Sequence, residues 1–261
     1  MAKKETEKFL SSNIFEGMTS ISALIKSIRS GNNDREISKI LFDSSKVKSK
    51  HAEYSFLKAV SREIGFELSL VDSQEISELS VGNTHGGIIA ICGDRIIQNL
   101  SLDKIKDNGI YFMLEGAEDP YNFGNAIRSI YAAGADGIIV GERNWLGAAG
   151  IVAKSSAGTS ELIDIYKVSD ATNAIELFKQ AGYTVACAGI RDSVDIFEAS
   201  LNKPLFVVIG GEKRGISRSV LDMADVIVRI GYGNEFKGSL SMSAAASVFV
   251  FEIFRKNHYL E

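Results

Sequence analysis

Apolar positions along the chain follow two regimes. In the first third, Met18, Ile21, Leu24, Ile25 and Ile28 recur three and four apart and end near Gly31, a spacing that predicts an amphipathic helix. Phe56, Leu57, Val60 and Ile64, stopped by Gly65, predict a second helix. Strand patterns lie around them: Ile37 to Phe42, the alternation of Phe66, Leu68 and Leu70, and the run Gly87-Ile-Ile-Ala-Ile-Cys92, with a short helix near Glu75. Together these make residues 1–95 a small α/β domain. Residues 96–108, approached through Gly93-Asp94-Arg95, are polar and lysine-containing and read as a linker.

From 109 to 261 strands and helices alternate. Strands are expected at Ile110 to Leu114, Gly137 to Val140, Ile163 to Val168, Tyr183 to Ala188, Leu205 to Ile209 and Val226 to Ile230. Helices are expected at 122–133, 148–157, 171–181 and 239–256. Such alternation builds a parallel sheet with helices on both faces. Ligands of these sheets lie beyond the carboxyl ends of the strands, so the chemistry is sought in the loops that follow strands.

Composition narrows the class. The chain has 261 residues, 45% hydrophobic and 24% charged, which suits two globular domains and argues against extensive disorder. The charged N-terminus has no apolar signal core, no segment reaches the length of a membrane span, and a cytoplasmic protein is expected. Cys92 and Cys187 sit in apolar runs, as buried structural thiols do. His51, His85 and His258 lack ligand spacing, so no metal is expected. The net charge of −4 means that a nucleic-acid partner would have to be held by local basic patches. Lys46, Lys48, Lys50 and His51 form one such run, and Lys213 with Arg214 another, although a solvated face is the ordinary reading of each.

Three post-strand segments carry candidate chemistry. Glu115-Gly-Ala-Glu-Asp-Pro-Tyr-Asn122-Phe-Gly124-Asn-Ala-Ile-Arg128 places Asn122 and Arg128 in the first turns of a helix, although alone it reads as an N-cap followed by a surface arginine. Val207-Val-Ile-Gly210-Gly211-Glu212-Lys213-Arg214-Gly215 runs a strand into glycines and charges. It lacks both the phosphate-loop signature and the dinucleotide fingerprint, and alone it is a glycine-rich turn. In the third, Ile230-Gly231-Tyr232-Gly233 leads to Gly238-Ser239-Leu240-Ser241 and a small-residue helix for which Ser239 is the expected N-cap.

In this order and spacing the three segments resemble the motifs of the SpoU branch of the SPOUT superfamily, the RNA 2′-O-ribose methyltransferases. Asn122, Gly124 and Arg128 match the first motif; Gly210, Glu212 and Gly215 the second; Ile230, Gly233, Ser239 and Leu240 the third. Lys154-Ser-Ser-Ala-Gly-Thr159 is similar to a helix-end signature of the same family. The likeness covers 110–256. It extends more weakly to the first domain, where Thr84-His-Gly-Gly-Ile-Ile is similar to a ribosomal-protein-like substrate-binding domain. Gly211, Gly231 and Ser241 depart from the family's usual Asn, Pro and Asn.

The resemblance implies an α/β protein whose C-terminal parallel-sheet SPOUT domain (109–261) carries a trefoil knot, with loops near 188–193, 209–216 and 230–241, which periodicity would not suggest. It implies S-adenosylmethionine as cofactor, against Ala188, Gly189, Ile209, Gly210, Gly211, Ile230, Leu240 and Ser241. It implies methylation of an RNA ribose 2′-hydroxyl, with ribosomal RNA favoured over transfer RNA, and Asn122, Arg128, Glu212 and Ser239 as catalytic candidates. A homodimer through the knotted domain and the final helix is expected, with Val248, Phe249, Ile253 and Phe254 supplying an apolar face unless they are intrachain core. A catalytically silent RNA-binding paralogue is the alternative that the three departures raise.

Overall fold

The computed structural model describes residues 13–141, 148–211 and 214–258. In chain order the first elements are β1 (Ile14–Glu16), α1 (Gly17–Arg29), β2 (Ile37–Asp43), α2 (His51–Ile64), β3 (Glu67–Val71), α3 (Ser73–Leu79) and β4 (Ile88–Cys92). There follow β5 (Gln98–Asn99), β6 (Ile110–Glu115), α4 (Pro120–Ala132), β7 (Gly137–Gly141), α5 (Ala149–Ser155), β8 (Asp164–Val168), α6 (Ala171–Gln180) and β9 (Thr184–Ala188). The last are β10 (Val194–Asp195), β11 (Leu205–Gly210), α7 (Arg218–Leu221), β12 (Val226–Arg229) and α8 (Met242–His258). They form two compact units, Met1–Ile96 with Trp145–Leu162, and Ile97–Asn144 with Ile163–Glu261.

The first unit is a four-stranded sheet in the order β1-β4-β2-β3, in which β4 runs antiparallel to β1 and β2 while β2 and β3 are parallel. The expected helices bury most of the expected stripes: Ile21, Leu24 and Ile25 of α1 and Leu57 and Val60 of α2 pack with Phe15, Ile40, Phe42, Ile88 and Ala90, whereas Phe56 is exposed beneath the Arg29 guanidinium. Gly65 ends α2 in the left-handed conformation at φ 96°, which suits a residue without Cβ. In β3 the alternation marks an edge strand, so Phe66 just before it is buried while Leu70 is half exposed.

Segment 148–162 packs with this first unit, where the sequence reading placed it in the second domain. Ala149 and Ala153 of α5 enter the same core, and Lys154 pairs with the buried Glu16. Farther along, Glu161 is buried and accepts from Arg35 Nε at 3.1 Å and from Asn33 at 2.7 Å. Arg95 donates to the Ser160 carbonyl at 2.8 Å.

The second unit holds one eight-stranded, all-parallel sheet in the order β10-β12-β9-β11-β6-β7-β8-β5. Its central strands β11, β6 and β7 are buried almost throughout and therefore read as apolar runs. Residues 96–108 are not a free linker. Gln98 and Asn99 add an edge strand to β8, and Leu100 and Ile105 join the core with Phe178 and Phe206. Both cysteines are buried free thiols, and burial pushes each up to about 12, outside thiolate chemistry.

The Arg35–Glu161 pair anchors 148–162 to the first unit, and breaking one side leaves a charge in the interior. Arg35→Met is expected to destabilise the protein by about 3–5 kcal/mol, while Arg35→Met with Glu161→Leu recovers most of that loss. Urea unfolding of the full chain checks both.

Candidate active site

The site is built where β6 and β11, neighbours at the middle of the second sheet, end together with Glu115 opposite Gly210. Beyond β6 the chain turns through Gly116 at φ +69° and enters α4. Asp119 caps this helix, its carboxylate accepting from the Tyr121 N–H at 3.0 Å, and Pro120 occupies the first turn, where its missing N–H costs nothing. The helix thus begins at Pro120 and not at 122, and Asn122 falls in its first turn. The Asn122 Oδ1 accepts from Ser243 Oγ at 3.1 Å. About two turns farther along α4, the hydroxyls of Ser129 and Ser247 meet at 2.7 Å, so α4 and α8 lie against each other. Arg128 is exposed on α4.

Backbone packs on backbone between the first two motifs. The Gly211 N–H donates to the Glu115 carbonyl at 2.6 Å, and the Gly215 N–H donates to the Gly211 carbonyl at 3.0 Å. A Cβ on Gly211 would stand 2.2 Å from the Gly116 carbonyl oxygen, and one on Gly210 would stand 2.5 Å from the Gly215 carbonyl carbon. No side chain fits at either position, which accounts for glycine at 211 where the resembled motif has Asn. A cavity of about 270 Å³ opens here, lined by Gly116, Ala117, Glu118, Asp119, Asn122, Gly211 and Met242. Glu212 and Lys213 lie outside the described residues.

The remaining cofactor candidates cluster at adjacent strand ends. Ala188 ends β9, Gly189 follows it and donates to the Val228 carbonyl at 2.9 Å, Ile230 follows β12, and Ile209 and Gly210 close β11. Strands β12, β9 and β11 are consecutive in the sheet, so these backbones lie side by side at its carboxyl edge. A Cβ at Gly189 would meet Ile227 Cγ2 at 2.8 Å, so this strand end stays bare. In the third motif the Leu240 N–H donates to the Tyr232 hydroxyl at 3.3 Å, and Tyr232 meets Phe236 edge to face at 5.4 Å.

Ser239 does not cap the last helix. The helix starts at Met242, and Ser241 caps it, its hydroxyl accepting from the Ala244 N–H at 3.3 Å and its carbonyl from the Ala245 N–H at 2.9 Å. Serine and asparagine cap about equally well, so an Asn at this position could make the same cap. Ser239 is exposed on the preceding loop. Thus Asn122, Gly211 and the start of α8 share one cavity, the strand-end backbones form a neighbouring row, and Arg128 and Ser239 stand outside the cavity lining.

Sequence reading passed over Glu115 and Ser217. Burial holds the Glu115 carboxyl above the usual carboxylate range, against hydrogen bonds from the Ser217 N–H and hydroxyl. Its Oε2 is buried and has no hydrogen-bond partner among the described residues. Glu115 therefore ties the end of β6 to the far side of the 211–217 loop by its carboxylate as well as its carbonyl. The signal was an acidic residue closing an apolar strand, a pattern also produced by simple emergence into solvent.

A parallel α/β sheet with a cavity and glycine-rich loops at its carboxyl ends is the arrangement of a ligand-binding α/β fold. The chain belongs to the SpoU rRNA Methylase family, which matches residues 109–251. It is 34% identical over 168 residues to a protein of Staphylococcus saprophyticus named as a TrmH family tRNA/rRNA methyltransferase, a match covering 63% of this chain and 65% of that one, just under two thirds of the relative's length. Among solved structures it resembles an RNA 2′-O ribose methyltransferase, with a TM-score of 0.78, 20% identity, and coverage of 97% of this chain and 95% of the other. It also resembles the SpoU methyltransferase AviRb of Streptomyces viridochromogenes in complex with AdoMet, with a TM-score of 0.75, 19% identity, and coverage of 97% and 96%. At these identities the two structures establish the fold.

Two outcomes follow from the loop contacts. Gly211→Ala is expected to destabilise by about 1–3 kcal/mol through overpacking, whereas Ser241→Asn leaves the thermal midpoint near that of the parent. Because the folded state holds Glu115 protonated to higher pH than the unfolded chain does, ionisation costs stability as pH rises above the unfolded value. Glu115→Gln should therefore gain on the parent as pH rises above the ordinary carboxylate range, read from urea midpoints at each pH.

Proposed function

We propose that this protein methylates a ribose 2′-hydroxyl in RNA, with ribosomal RNA as substrate and S-adenosylmethionine as methyl donor. The observation that carries the reading is the convergence of the first two motifs and the start of α8 on one cavity, beside the row of bare strand ends. Family membership supports the methyltransferase class. The names of the similar proteins support RNA as substrate and the ribose hydroxyl as target.

Gly189, Gly210 and Gly211 keep the loops at these strand ends packed closely, and the cofactor is assigned to the backbone of Ala188, Gly189, Ile209, Gly210, Gly211, Ile230, Leu240 and Ser241 by motif. When bound, S-adenosylmethionine supplies a methyl group on a sulfonium. The protein has to orient a poorly nucleophilic hydroxyl and help remove its proton. Asn122, held by Ser243 at the cavity wall, is placed to position the ribose. Arg128, always cationic and exposed, is suited to clamp the adjacent phosphate in fork geometry and not to act as a base. Glu212 and Ser239 are assigned to the reacting centre by motif alone. We take the loops near 188–193, 209–216 and 230–241 as those of a trefoil knot; the tight backbone packing of Gly210 and Gly211 against the Gly215 and Gly116 backbones supports that reading.

A homodimer through α8 belongs to the same proposal, with a revised face. Phe249 and Ile253 are fully buried within the chain, so the face passes to the half-exposed Phe251 with Val248 and Phe254.

Calorimetric titration of the purified protein with S-adenosylmethionine, followed by methyl transfer to ribosomal RNA from a deletion strain, tests the assignment. Arg128→Ala should lower the transfer rate by about 10²-fold through lost positioning while leaving cofactor affinity unchanged. Absence of S-adenosylmethionine binding by the parent protein would sink the reading.

A further inference from the structure

Methyl transfer as described leaves one partly buried acid without a task. Glu115 closes β6 directly opposite Gly210 of β11, and it reaches the second motif twice. Its carbonyl accepts from the Gly211 N–H at 2.6 Å, where the loop of that motif begins. Its carboxyl accepts from the Ser217 N–H and hydroxyl, where the loop ends. Gly210 permits the second reach. A Cβ there would stand 2.7 Å from the Ile216 nitrogen, so the end of the loop folds back over the strand end beside Glu115.

A tie that served the fold alone would satisfy both carboxyl oxygens, and this one does not. Oε2 is buried with no hydrogen-bond partner among the described residues. Interiors keep few such atoms, and each calls for an explanation. Burial also holds the carboxyl above the usual carboxylate range. Ser217, by contrast, is exposed, so water would satisfy its N–H and hydroxyl if the carboxyl were gone. Just beyond it, Val220 of α7 is buried in the core with Phe178 and Val208, which fixes the chain after the loop independently. The carboxyl therefore adds little to the fold, and what it holds is the loop.

That loop bounds the site. Gly211 lines the cavity, and its carbonyl accepts from the Gly215 N–H at 3.0 Å. A shift at Ser217 is thus passed through Gly215 to the cavity wall. We propose that Glu115 is a positioning residue, which fixes both ends of the second motif and thereby sets the affinity for S-adenosylmethionine. The proposal rests on the reading of this chain as a methyltransferase that uses that cofactor. A ligand that binds one arrangement of a loop loses apparent affinity in proportion to the fraction of molecules outside it.

The test uses the full chain. Glu115→Met keeps the length of the side chain and removes the acceptor, Glu115→Gln keeps an acceptor for Ser217, and Ser217→Ala removes the hydroxyl. Calorimetric titration with S-adenosylmethionine reads affinity, and urea unfolding at pH 7 reads stability. The expected result is a Kd raised about tenfold in Glu115→Met and held within about threefold of the parent in Glu115→Gln. The urea midpoint of Glu115→Met should stand at or above that of the parent, since an apolar group replaces a buried oxygen without a partner. Adding Ser217→Ala to Glu115→Met should weaken binding no further, because both remove one contact. An unchanged Kd in Glu115→Met overturns the proposal. So does a Gln variant as weak as the Met variant, or a Met variant that loses affinity and stability together, which makes the tie structural. Parent protein that takes up no S-adenosylmethionine defeats the methyltransferase reading instead. Amide hydrogen exchange at Gly211 and Gly215 then decides the tie: exchange about tenfold faster in Glu115→Met than in the parent supports it, and equal rates overturn it.

Discussion

At Gly211 there is no space for even one methyl group, because the Gly116 carbonyl oxygen would lie 2.2 Å from it. The loops that follow β6 and β11 thus meet main chain to main chain, and everything placed at the site depends on that closeness. It brings the Asp119-capped helix carrying Asn122 and the end of β11 to the walls of one cavity. Backbone amides and carbonyls at strand ends are fixed by the sheet's own hydrogen bonds. A site made from them is rigid before a ligand arrives.

The departures from the family pattern look different in this light. Ser241 performs the cap that Asn would perform. Gly211 answers a local steric demand made by Gly116. At Gly231 a Cβ would come within 2.6 Å of the Asp195 carboxylate, a flexible neighbour, so nothing in the backbone there forbids a larger residue. The first two substitutions fit the local architecture.

Much of the fold was legible because parallel strands buried on both faces must be apolar throughout, and because Gly65 stops a helix by a conformation few other residues adopt. The short edges were not. The strands Ile14–Glu16, Gln98–Asn99 and Val194–Asp195 are too brief to show a period and exist because a neighbouring strand offers partners. The start of the last helix was misplaced because Ser239 and Ser241 are equally good caps on local grounds, and only tertiary packing chooses between them. The three motifs fall on loops that line the cavity or close neighbouring strands of the sheet. The steric reason for Gly211 and the tie from Glu115 to Ser217 depend on which loops touch, and that information is absent from local pattern.

The allegiance of 148–162 bears on how such a chain is divided and inherited. Its flanking strands belong to one sheet, yet its own buried side chains answer to Glu16 and Arg35 in the other unit. The chain passes between the units after Ile96, before Trp145 and after Leu162, so no single cut separates them. A piece beginning near residue 97 would keep its sheet but carry Glu161 with its cationic partner gone. The two units are in that sense one heritable object: the gene for either cannot be trimmed away or exchanged as a contiguous module without re-solving the electrostatics of the other.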